Sequence, residues 1–180
     1  MGSGEASGPG LKTVVAASAA GTAFEWYDFF IFGALAGVIA RHFYAEVSDS
    51  TAYILALLTF GVGFVVRPLG ALVFGWFGDR TGRKTTFLVT ITVMGLATVA
   101  IGLLPGYAAI GVAAPILLIL MRVLQGFALG GEYGGAAIYV AEHAPTHRRG
   151  FLTGWIQTTA AVGLFGALGV ILVTRQIVGP

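Results

Sequence analysis

Five long apolar runs separated by short polar connectors make up almost the whole chain. They lie near residues 13–40, 52–77, 85–104, 113–140 and 151–174. Each reaches the roughly 20 helical residues needed to cross a bilayer core of about 30 Å. A segment in lipid must pair its own backbone groups, so it is a helix or a strand of a closed barrel. Unbroken runs without period-two alternation exclude barrel strands, and the pattern predicts an all-α transmembrane fold.

Composition agrees with that pattern. Hydrophobic residues make up 57% of the 180 and charged residues only 10%, against about 25% in soluble domains. The formal charge is +2, but the basic residues are scattered in short clusters between apolar runs. That distribution is a topology signal, and it argues against nucleic acid as a partner. There are no cysteines, which removes disulfides, thiolate metal sites and cysteine nucleophiles. No nucleophile–base or metal constellation appears, so the reading is not an enzyme, with no cofactor and no metal. Residues 1–12 begin Gly/Ser-rich without a basic signal-peptide region and read as a disordered tail.

Six basic residues sit on one side of the predicted membrane: Lys12, Arg80, Arg83, Lys84, Arg148 and Arg149. Arg41 and Arg175 lie on the other. The positive-inside rule places the first group, and the N-terminus, in the cytoplasm, with 175–180 outside. Five is an odd count and the chain stops directly after the fifth run, which points to a truncated chain.

Charges within a span cost roughly 2.5–3.5 kcal/mol each on insertion scales, so the few present carry information. Glu25 and Asp28 are three residues apart and share a helix face. They form either a proton or cation site or a pair neutralised by an arginine of a neighbouring helix. Arg67, followed by the potential kink at Pro68, lies too deep to snorkel. It would bind an anionic substrate or neutralise Glu25 or Asp28. Arg122, Gln125 and Glu132 occupy an arc of about 80° on the fourth run, beside Gly126 and Gly130 at a close-packing spacing. Arg122 and Glu132 are about 15 Å apart along the axis, too far to pair. The stretch Gly75-Trp76-Phe77-Gly78-Asp79-Arg80-Thr81-Gly82-Arg83-Lys84 reads as a tight charged turn between the second and third runs. Gly78 and Gly82 permit a sharp bend, and Asp79 and Arg83 are placed to meet helix ends. His42, His143 and His147 fall at membrane edges and read as solvated.

These residues carry a resemblance. Gly75 to Lys84 resembles the loop signature between the second and third helices of the major facilitator superfamily. Arg122-x-x-Gln125-Gly126 resembles its fourth-helix motif. Leu124-x-Gly126-Phe127-x-x-Gly130 with Tyr139, Glu142 and Arg149 resembles a sugar-porter signature. A finer resemblance, over residues 14–169, is to the metabolite:proton symporter family. It rests on Glu25-Trp26-Tyr27-Asp28-Phe29, Arg67-Pro68-Leu69-Gly70, Gly130-Gly131-Glu132-Tyr133-Gly134-Gly135, and Glu142-x-x-Pro145 followed by Arg148-Arg149-Gly150. That family includes carriers of proline and betaine, citrate, α-ketoglutarate and shikimate in bacterial inner membranes.

The resemblance implies a twelve-helix carrier of two six-helix halves, of which this chain supplies five helices. The second half of the polypeptide would be its partner, with a small-molecule substrate, protons and the lipid bilayer. By the same resemblance, Gly75, Gly78, Asp79, Arg80, Gly82, Arg83, Lys84, Glu142 and Arg149 would form a cytoplasmic latch. Glu25, Asp28, Arg122 and Glu132 are the proton-coupling candidates. Trp26, Tyr27, Arg67, Gln125 and Tyr133 are the substrate-cavity candidates. The expected activity is proton-coupled symport of a small organic acid or zwitterionic osmolyte. An uncoupled facilitator, or a polytopic sensor or assembly protein without transport activity, is the alternative.

Overall fold

The computed structural model describes residues 11–143 and 146–178. Side chains are described from residue 19, apart from 83–84, 132–143, 148, 152, 155–157 and 178. The described residues form helices and no strand: α1 (Leu11–Ala34), α2 (Ala36–Phe43), α3 (Asp49–Thr81), α4 (Arg83–Leu103), α5 (Tyr107–Ile110), α6 (Ala113–His143) and α7 (Arg149–Val178), with a short 3₁₀ turn at Thr146–Arg148. Among the described residues four helices are long and apolar enough to cross a membrane, and a fifth span results if α1 and α2 count as one. Large apolar side chains such as Val65, Leu72, Leu103 and Phe165 are exposed all along the bundle. Lipid is the solvent that makes such a surface stable.

The structure departs from the sequence expectation at three places. The run at 13–40 is broken at Leu35, where α1 and α2 meet at 64°. Both Val38 and Ile39 donate to the Leu35 carbonyl, and Gly33 and Gly37 flank the break without a side chain to stiffen it. The expected charged turn is helical for most of its length. Ser48 caps the start of α3 through the Thr51 amide, and the helix continues through Pro68 to Thr81. Only Gly82 bends the chain, at φ +92°, a backbone conformation that suits glycine. Gly78 makes no turn; it is a buried helical residue on which Thr86 of α4 packs. The connector at 105–112 also contains the single turn α5.

Contacts between α3 and α6 are made backbone to backbone. A Cβ at Gly126 would lie 2.1 Å from the Gly63 carbonyl oxygen, one at Gly130 2.0 Å from that of Arg67, and one at Gly70 1.9 Å from that of Phe127. Small residues permit this approach, and dispersion between touching backbones replaces the hydrophobic effect that lipid does not supply. On the other side of the bundle α7 receives α1 at Gly163, where a Cβ would meet Trp26 and the Ala23 carbonyl. Phe32, Ala40, Phe43, Ala52, Ala56, Ala114 and Leu118 form an apolar core at the α2 end.

Candidate functional site

Two acids of α1 meet two arginines from two different helices. Asp28 accepts from Arg122 of α6, Nη1 to Oδ2 at 2.7 Å. One turn earlier, Glu25 pairs with Arg67 of α3 at 3.4 Å. The shared face read from the sequence is present, but the two carboxylates turn to different partners. A 60° offset and a rise of about 4.5 Å are enough to separate their neighbours.

The Asp28 pair is elaborated into a network. Gln125, one turn beyond Arg122, accepts from Arg122 at 2.7 Å and donates to Asp28 Oδ1 at 3.2 Å. Thr98 of α4 donates to the same Oδ1 at 3.1 Å and receives a Gln125 amide hydrogen at 2.8 Å. The Arg122 guanidinium also stacks 3.6 Å above the Phe32 ring. Arg122 and Asp28 side chains are each only 7% exposed, and buried charges persist when paired and hydrogen-bonded in this way. Arg122 Nε has no partner among the described residues.

The Glu25 pair is sparser. Its carboxylate is equally buried, but Arg67 is 31% exposed and rests on the Phe64 ring at 4.5 Å. Glu25 Oε2 and Arg67 Nε are both buried without a hydrogen-bond partner among the described residues. Both pairs border one cleft, which Phe29, Phe60, Gly63 and Phe64 also line. Its volume of about 20 Å³ holds a water molecule and no organic metabolite.

Other singled-out residues lie elsewhere. Trp26 and Tyr27, read from the sequence as cavity-lining, are outside the cleft and pack on Gly163 and Gly166 of α7. Trp26 stacks on Phe30. Alternation around a helix explains this: with Glu25 and Asp28 facing α3 and α6, the two residues between them face away. Arg80 lies over the Trp76 ring at 4.0 Å, Asp79 and Gly75 are exposed on α3, and Arg149 begins α7 at the same end. The side chains of Arg83, Lys84, Glu132, Tyr133 and Glu142 lie outside the described residues. Thr98 was not singled out by its sequence. It is one of five threonines on an uncharged run, and nothing in their spacing distinguishes the one that reaches another helix.

Comparison with known proteins places the chain. The family model described as "Sugar (and other) transporter" matches residues 13–179. The proline/betaine transporter of Salmonella typhimurium is 43% identical over 94% of this chain and 34% of its own length. The shikimate transporter of Escherichia coli is 45% identical over 86% of this chain and 35% of its own. The inner membrane metabolite transport protein YhjE of Escherichia coli is 48% identical over 88% and 36%. The chain thus spans about a third of the length of these curated relatives. No solved structure matches. With the family model matched almost end to end and, among the described residues, four helices long and apolar enough to cross a membrane, the chain belongs to the sugar (and other) transporter family of the major facilitator superfamily.

Proposed function

We propose that this chain forms the first five spans of a metabolite:proton symporter, a twelve-helix carrier in a bacterial inner membrane with its N-terminus in the cytoplasm. It moves a small organic acid or zwitterion by alternating access, and it is inactive without the second half of the polypeptide. The observation that carries the reading is the pairing of Asp28 with Arg122 beside a cleft, in a region where unpaired charge is not tolerated.

The two pairs divide the work. Asp28 takes up a proton from the cleft, which neutralises the carboxylate and releases Arg122 from its ion pair. Arg67, whose side chain is about a third exposed, binds the carboxylate of a substrate held between the two halves of the carrier, and Glu25 holds its guanidinium until substrate arrives. Both events loosen α1 from its neighbours, and the two halves rock about the midplane site. Names of relatives that carry proline and betaine, or shikimate, fit a substrate with a carboxylate. The latch residues at the basic end, Asp79 with Arg83 and Glu142 among them, close the cytoplasmic side.

The test is uptake into proteoliposomes by the full-length carrier under an imposed pH gradient. Radiolabelled betaine and shikimate serve as probes, with and without a proton uncoupler. Accumulation that collapses with the uncoupler, and in D28N, supports the reading. Uptake indifferent to both identifies a facilitator, and no uptake of any carboxylate or zwitterion overturns transport altogether.

A further inference from the structure

Asp28 has to be satisfied in two protonation states, and Oδ2 is occupied by Arg122 in the ionised one. The proton therefore arrives at Oδ1, where the neighbours are the Thr98 hydroxyl and the Gln125 amide. An amide NH₂ only donates, so it serves the carboxylate and opposes a carboxylic acid O–H. A hydroxyl has one hydrogen and two lone pairs and serves either.

Thr98 has a second acceptor within reach. Its Oγ1 lies 3.1 Å from Asp28 Oδ1 and 3.0 Å from the Met94 carbonyl of its own helix. The single hydrogen can occupy one of these contacts at a time. Thr86, Thr90 and Thr92 on α4 direct their hydroxyls only to carbonyls of the chain just before them, at Gly82, Phe87 and Leu88. Among these described threonines, Thr98 is the one with an alternative on another helix.

We propose that Thr98 is the positioning residue that serves both protonation states of Asp28. Facing the carboxylate, it donates to Oδ1. When Oδ1 takes a proton from the cleft, the Thr98 hydrogen turns to the Met94 carbonyl and Oγ1 accepts from the new Asp28 O–H. No bond other than hydrogen bonds is exchanged, and the incoming proton stays on Asp28. Gln125 keeps its contact to Thr98 Oγ1 in both states. The inference rests on Asp28 being the proton carrier.

The experiment measures the pH profile of uptake by the full-length carrier in proteoliposomes, for wild type, T98V, T98S, T98A and D28N, each normalised to its own maximum. A hydrogen bond to a charged acceptor outweighs one to a neutral group, so removal of the hydroxyl favours protonation. The pH of half-maximal uptake should move upward by about half to one unit in T98V and T98A. T98S, which keeps the hydroxyl, should follow the wild type. An unmoved midpoint in T98V or T98A, with only the maximal rate reduced, would overturn the proposal and leave Thr98 a packing residue. T98A carries the test if T98V does not assemble. A T98S midpoint displaced as far as that of T98A would overturn it too. Proton-driven uptake that survives D28N sinks the coupling reading itself. Loss in D28N with an unmoved T98A midpoint sinks only the role of Thr98.

Discussion

The Asp28–Arg122 pair and the Glu25–Arg67 pair use the same chemistry one helical turn apart, yet they are built differently. The first is short, supported by Gln125 and Thr98 and buried on both sides, with Arg122 Nε its one atom lacking a partner among the described residues. The second is longer, its arginine side chain is a third exposed, and among the described residues it leaves a carboxylate oxygen as well as a guanidinium nitrogen without partners. A closed network holds a charge in place and releases it only on protonation. An under-satisfied pair can accept a new polar partner at little cost. The difference argues that the acids are not interchangeable.

The largest effect should come from breaking the platform both arginines stand on. G126V places atoms inside the Gly63 backbone and should abolish assembly, seen as loss of the monodisperse peak in detergent. G95A, on α4 where nothing lies within 4 Å of the added Cβ, should leave it unchanged. Next, R122Q leaves Asp28 buried without its cation and should destabilise by about 3–5 kcal/mol. R67Q also leaves a buried carboxylate without its cation, but the pair it breaks is longer and its arginine more exposed, so its loss should be the smaller of the two. Thermal unfolding of the two variants side by side measures the gap, and equal losses would erase the proposed distinction. In transport, D28N should remove proton-driven accumulation, whereas E25Q should raise KM several-fold and retain coupling. A reversed pattern would exchange the two roles.

The smallest effect lies outside the spans and serves as a reference for an exposed contact. Tyr107 of α5 donates to Glu46 at 2.9 Å. The hydrogen bond to that carboxylate, with its negative charge, raises the phenol above its ordinary value near 10. A raised phenol means that the contact is intact below the ordinary tyrosine range and is lost as pH climbs through the raised value. Y107F should leave thermal stability at neutral pH nearly unchanged. It should delete a step lying above the ordinary tyrosine range from a spectrophotometric tyrosine titration.

Much of this arrangement was legible along the chain because membranes make charge placement so restrictive. Arg122 and Gln125 could be put on one face by counting, and Glu25 and Asp28 likewise. Their partners could not, since Arg67 was equally suited to Glu25, Asp28 or a ligand until α3 was set beside α1. Gly126 and Gly130 announced a close contact, but Gly63 and Gly70 acquire meaning only opposite them. The bend at Leu35 had no proline to mark it, and the helix through Asp79 was hidden by two glycines that looked like a turn when only Gly82 makes one. Trp26 and Tyr27, cavity candidates by resemblance alone, sit between the acids in sequence, and helical geometry turns them toward α7 and away from this small cleft.

The contact of α3 with α6 has a mechanical consequence. Backbones that touch at three glycines cannot rotate or slide past each other without colliding, so Arg67 and Arg122 ride on a single beam. Glu25 and Asp28 both belong to α1. Any motion that opens one pair therefore strains the other, and in the proposed mechanism α1 turning against that beam would carry the state of a proton at Asp28 to a substrate at Arg67, one turn away.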